Sequence, residues 1–246
     1  PSSSSAASDV YKRQDKNQTK NLDKLNELEK MMQDLGFSWD SKAKTGGVVK
    51  ILNDKDQSRL TEMRKSGLNI MMSMKSEGKP VSFVEDCAVN LENLAEYTDG
   101  LTKIFKKYNV HGTWYAHASV GCLHVRPVLN MKINEDVKKM RMIAEEACAL
   151  VKKFGGSFSG EHGDGIVRSE FIEKMFDKKV NNIFRQAKDL FDPNRIFNPE
   201  KIIDAPKMDD RNLFRYSPAY SSLDIQTVMD WSSWPGKSNG FQGAIE

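Results

Sequence analysis

Apolar side chains at positions 22, 25, 28, 32 and 35 recur at helical spacing, which predicts a helix from Leu22 to Leu35, stopped by Gly36. A second helix is predicted from Asp56 to about Lys75, before Gly78 and Pro80 force the chain extended. The run VSFVEDCAV, residues 81–89, is rich in β-branched and aromatic side chains and reads as a strand. Asn90 is a capping candidate for a helix through LENLAEYTDGLTKIFKKY; beyond it GTWYAHAS and CLHVRPVL read as two strands joined by a bend near Gly121. A long amphipathic helix follows, with Val137, Met140, Ala144, Ala147 and Val151 on one face, Asn134 as its cap and Gly155 and Gly156 closing it. Past SGEHGDG, the apolar residues Ile166, Phe171, Ile172, Met175, Val180, Ile183, Phe184 and Leu190 predict one or two further helices, ending at DPNRIFNP. From Pro206 the period is lost among Pro, Ser, Tyr and Trp. This order predicts an α+β fold, an antiparallel sheet with helices on one face, followed by a helical segment and an extended C-terminal linker.

Composition narrows the classes. The chain has 246 residues with 39% apolar content, enough for a sizeable core. Lys plus Arg number 37 against 34 Asp plus Glu, a net charge of +3 with the signs intermixed, so nucleic acid is not an expected partner. Cys87, Cys122 and Cys148 are odd in number and form no CxxC pair, which argues against a disulfide framework and suits a reducing cytoplasm. No apolar run approaches the ~20 residues of a membrane span. The opening residues PSSSSAASDVYKRQ differ in composition from all that follows and resemble translated adapter sequence. The expected division is therefore 1–14 non-native, 15–205 a folded domain, and 206–246 a linker.

The chemistry centres on histidine, of which there are four. If 114–118 and 122–128 form a hairpin, His117 and His124 lie either side of its bend and their imidazoles can converge on a divalent ion such as zinc. Taken alone, two histidines seven apart are more often unrelated surface or core residues; three of the four histidines falling inside two glycine-bearing motifs bring the metal reading level with that one. Glu161 is the candidate third ligand, in a segment whose glycines permit positive φ and close backbone approach. In an extended segment Glu161 and His162 would point opposite ways, one to bind metal and the other to handle a proton. Cys122 is expected to pack rather than to ligate. Arg126 shares a sheet face with His124, and its fork suits either a substrate carboxylate or an ion pair. Arg64, in LTEMRKSGLN, sits mid-helix, where it could simply face water.

HASVGCLHVRP, SGEHGDG and DPNRIFNPEK resemble, in order and separation, the carboxy-terminal half of FAD-linked oxidoreductases of the vanillyl-alcohol oxidase type, specifically D-2-hydroxyacid dehydrogenases acting on D-lactate, glycolate or D-2-hydroxyglutarate. The likeness covers residues 20 to 205. It implies a cap domain over the flavin, with His117, His124 and Glu161 as metal ligands, His162 as the base for the substrate hydroxyl, Arg64 on the substrate carboxylate and Asn198 near the FAD. The chain departs from the usual pattern in the loop from Ala118 to Cys122, in carrying Arg126 where many relatives place a substrate-binding Asn, and in Glu85 and Asp86 where a lysine is common. HVRP, PVSFVED, LFRYSPAY and DWSSWPGKSNGFQGAIE are similar to a subgroup fused to a ferredoxin-like iron–sulfur part, which implies a fragment cut at both ends, a 4Fe-4S cluster beyond it, and a cytoplasmic protein peripheral to the inner membrane.

The expected reaction is oxidation of a 2-hydroxy acid: His162 takes the hydroxyl proton and hydride passes to flavin N5, with Arg64 and Arg126 on carboxylates and electrons leaving to an iron–sulfur centre or quinone-linked carrier. Two rivals use the same letters: a zinc hydrolase built on the same His, His and Glu, and a cap with a structural role only.

Overall fold

The computed structural model describes residues 17–40, 46–218, 220, 221, 225–236, 240 and 241. Residues 1–14, expected to be non-native, lie outside them. The chain divides into two compact units, Ser3–Leu68 and Asn69–Glu246, a break inside the predicted 15–205 span.

In the first unit, α1 (Gln18–Asp34) starts where the Asn17 side chain accepts the Thr19 amide at 2.9 Å, a cap the apolar pattern did not mark. Lys50 ties back to Glu29 at 2.7 Å and Asn26 at 3.0 Å. Helix α2 (Asp54–Met72) begins two residues before the expected start, because Asn53 accepts the Asp56 amide at 2.8 Å.

The second unit is built on a hairpin. Strand β3 (Gly112–His117) pairs antiparallel with β4 (Cys122–Leu129), and the turn between them is a short 3-10 segment, Ala118–Val120, closed by Gly121 at φ +72°. A Cβ on Gly121 would stand 1.8 Å from the Val89 carbonyl oxygen, so glycine is required twice over. The opposite edge of β4 carries two short strands, β1 (Lys79–Pro80) and β2 (Cys87–Ala88). The single strand predicted for 81–89 is thus broken. Pro80 pairs with Val128 and Cys87 with Leu123, so seven steps along one strand face five along the other. Two surplus residues must leave the ladder, and Asp86, at φ +79°, is where the chain turns back onto it.

Register sorts the sheet into two faces. Leu123, Val125 and Leu129 enter the core with Tyr97, Leu101, Ile104 and Phe105 of α3 (Leu94–Lys107) and with Val137, Met140, Ile143, Ala144, Ala147 and Val151 of α4 (Asn134–Lys153). Thr113, Tyr115 and His117 pair with Arg126, His124 and Cys122 on the other face. Helices on one face were expected; the capping assignments were not all correct. Asn90 makes no side-chain cap, and a 3-10 turn, Leu91–Asn93, precedes α3. At α4 the cap position is Ile133, and Asn134 is already helical. Glu135 and Asp136 in the first turn favour the helix electrostatically, and Asp136 accepts the Asn130 amide at 2.8 Å.

After α4, Ser157 bridges Ala88 and so adds its segment beside β2. Short helices α5 (Gly165–Arg168) and α6 (Ile172–Met175) lead to α7 (Lys178–Phe191), capped by Asp177. The remaining described residues are largely irregular apart from a 3-10 turn at Arg211–Leu213, as the loss of period predicted. No helix among the described residues is long and apolar enough to cross a membrane.

Candidate metal centre

The polar face of the hairpin and the 157–164 segment meet over β2. His124, 2% exposed, is held between two rings: Tyr115 stacks at 4.8 Å and His162 at 4.9 Å, while His117 meets it edge-on at 5.0 Å. Glu161 Oε1 is the common neighbour of three imidazoles, 3.0 Å from His124 Nε2 and 3.5 Å from the Nε2 atoms of both His117 and His162. Three of the chain's histidines therefore aim one nitrogen each at one carboxylate oxygen.

The expectation that Glu161 and His162 would face opposite ways is corrected here. Residues 158 and 160–162 are bends rather than strand, and both side chains reach the same spot. Two tight donor groups result: Asp86, Cys122, His124 and Glu161, and Glu85, His124 and His162, each with one ligand atom per residue within 4.8 Å of the others. His117 belongs to neither and joins through Glu161.

The donor chemistry fits a divalent cation. Burial pushes the His124 imidazole below its ordinary value, which favours the neutral ring a metal requires, and its Nδ1 is buried without a hydrogen-bond partner. Cys122 differs. Burial, with Asp86 and Glu161 nearby, pushes its thiol up to about 12.

Arg126 shares the face of His124 as predicted, but its fork is already engaged: Nε and Nη2 each donate to Glu85 at 2.6 Å, and Nη2 reaches Tyr115 Oη at 3.3 Å. Burial alone would raise the Glu85 carboxyl; hydrogen bonds from Arg126 and Ser82, with the arginine charge, bring it below its ordinary value. Glu85 Oε1 also lies 3.7 Å from Nδ1 of both His124 and His162. Arg64 is exposed on α2 in the first unit. Asn198 is exposed at φ +42°, in a turn braced by Asp192, whose carboxylate accepts the Ile196 and Phe197 amides at 3.0 and 2.9 Å.

Sequence reasoning passed over Glu85 and Asp86 as contributors, noting them only as departures from a pattern. Their signal was present but weak: two adjacent acids inside an otherwise apolar run that buries both faces.

Residues 12–202 match the family described as FAD linked oxidases, C-terminal domain. The chain is similar to D-2-hydroxyglutarate dehydrogenase of Haemophilus influenzae, 37% identical over 168 residues, which is 68% of this chain and 16% of that protein. It is also similar to D-2-hydroxyglutarate dehydrogenase of Escherichia coli, 34% identical over 155 residues, 61% of this chain and 15% of that protein. With D-lactate dehydrogenase of Archaeoglobus fulgidus it shares 32% identity over 151 residues, 61% of this chain and 31% of that protein. The chain thus spans a minor share of the length of these curated relatives.

Proposed function

This chain belongs to the family of FAD linked oxidase C-terminal domains, and from that premise we propose that it forms the substrate- and metal-binding part of an FAD-dependent D-2-hydroxyacid dehydrogenase. The observation that carries the reading is the convergence of His117, His124 and His162 Nε2 on Glu161 Oε1. His117, His124 and Glu161 are the proposed ligands of a divalent cation, with zinc suited to two imidazoles and one carboxylate. When bound, the cation polarises the substrate hydroxyl and the flavin accepts the hydride.

The chain's own residues then divide the remaining work. His162, 43% exposed beside the ligand set, accepts the hydroxyl proton at Nε2, while Glu85 Oε1, 3.7 Å from its Nδ1, stabilises the charged ring. Arg126 adds positive charge beside the site, and a substrate carboxylate would share its guanidinium with Glu85. Arg64 as a second carboxylate anchor and Asn198 as a flavin neighbour rest on the family resemblance.

The test uses the flavoprotein that contains this chain, under anaerobic conditions. Bleaching of its flavin absorbance by D-2-hydroxyglutarate or D-lactate, abolished by His162→Ala, is the expected result. Metal-dependent hydrolysis without flavin reduction would overturn the proposal in favour of a hydrolase.

A further inference from the structure

Glu161 and His162 stand in a segment with no helix or strand of its own, flanked by Gly160, Gly163 and Gly165. Nothing local to 159–163 accounts for two adjacent side chains converging on His124. Asp86 supplies what the segment lacks. It is fully buried, 0% exposed, and holds four consecutive residues. Its carboxylate accepts the Ser159 hydroxyl at 3.0 Å, the Glu161 amide at 2.8 Å and the His162 amide at 2.9 Å, and its own carbonyl accepts the Gly160 amide at 2.7 Å. A Cβ on Gly160 would stand 3.0 Å from that carbonyl oxygen, so the approach admits little beyond glycine.

Asp86 is itself fixed from the other side. Its amide donates to the Leu123 carbonyl at 2.8 Å, the strand neighbour of His124, and its side chain lies 3.5 Å from Arg168 Nη1 and 3.6 Å from Cys122 Sγ. Arg168 in turn donates to the carbonyls of Glu85 and Gly163. The left-handed φ of +79° is costly for an aspartate and persists because the surroundings fix it from every side.

We infer that Asp86 is the positioning residue of the site, registering the Glu161–His162 pair against the histidines of the hairpin through the two backbone amides it accepts. The inference rests on the reading of these residues as a metal and proton-transfer site, yet its geometry can be tested apart from it.

The variant is Asp86→Asn, since asparagine tolerates the left-handed region while its amide group cannot accept from both N–H donors. Amide hydrogen exchange is measured by NMR on the 246-residue chain. Exchange at Glu161 and His162 is expected to rise about tenfold or more, the loss of a hydrogen bond to a charged acceptor. The Ala88 and Ser157 amides, which bond to each other's carbonyls at 2.9 and 2.8 Å, should keep their protection. Unchanged exchange at 161 and 162, or an equal rise at all four amides, overturns the inference. In parallel, the chain is titrated with Co²⁺ and its visible absorption recorded. The variant should bind about 10–100-fold more weakly with the same band shape at saturation; an altered band would make Asp86 a ligand and overturn the positioning role. Failure of the unaltered chain to take up Co²⁺ would remove the metal reading while the exchange data still decide the role of Asp86.

Discussion

Replacing Glu85 by alanine isolates the charge that the structure buries most deliberately. The Arg126 guanidinium loses both 2.6 Å hydrogen bonds and keeps only Tyr115 Oη at 3.3 Å, in a position where both partners are buried. Breaking a buried pair by removing one member costs ~3–5 kcal/mol, because the remaining ion stays out of water. For a unit the size of Asn69–Glu246, each kcal/mol lowers Tm by about 2–4 °C, so the expected fall is about 6–20 °C. Removing both charges together, Glu85→Leu with Arg126→Met, should recover most of that loss, since no buried ion is left unpaired. Thermal unfolding followed by near-UV circular dichroism, in a Trp39→Phe background that silences the first unit's tryptophan, reads the second unit. If Glu85→Ala shifts Tm by no more than about 2 °C, a cost of at most ~1 kcal/mol, the pair behaves as a solvated surface bridge and the account of Arg126 fails.

Acid should unfold this unit through the same residues. Glu85 and Asp86 both titrate below their ordinary values of 4.5 and 3.8, Asp86 because amides of His162 and Glu161 outweigh its burial, so the stability they contribute is in place above those values and is lost as pH falls through the lower folded ones. Tm measured from pH 6 down to pH 2 should therefore drop steeply below about pH 4.5, and the drop should be shallower in the Glu85→Leu, Arg126→Met protein. His117→Ala should lower the bound zinc measured by elemental analysis, with the fold unchanged by circular dichroism; undiminished zinc removes His117 from the ligand set. Gly121→Ala should cost more than ~2 kcal/mol in urea unfolding, from positive φ and a clash with the Val89 carbonyl. Gly163→Ala, at φ +78° with nothing within 4 Å, should cost only ~1 kcal/mol of backbone strain, and equal costs at the two sites would refute the close approach at Gly121.

Helical spacing was enough to locate α1 and α4, because the period of an apolar stripe is a property of neighbours in sequence, and α4 buries its stripe in the core. The hairpin was legible for the same reason, its two strands and the glycine between them lying within 18 residues, Gly112 to Leu129. Residue type and glycine context were enough to single out His117, His124, Glu161 and His162. What spacing could not contain is the register of β1 and β2 on β4, where two surplus residues turn a predicted strand into the corner that buries Glu85 and Asp86. Those contacts join positions 41, 75 and 76 apart, Glu85 to Arg126 and Asp86 to Glu161 and His162. They decide that Arg126 holds a carboxylate of its own chain and that Glu161 and His162 face one way. Local pattern carries the period of an element, whereas the partner of a buried charge is chosen only when the closed chain leaves that charge one place to go.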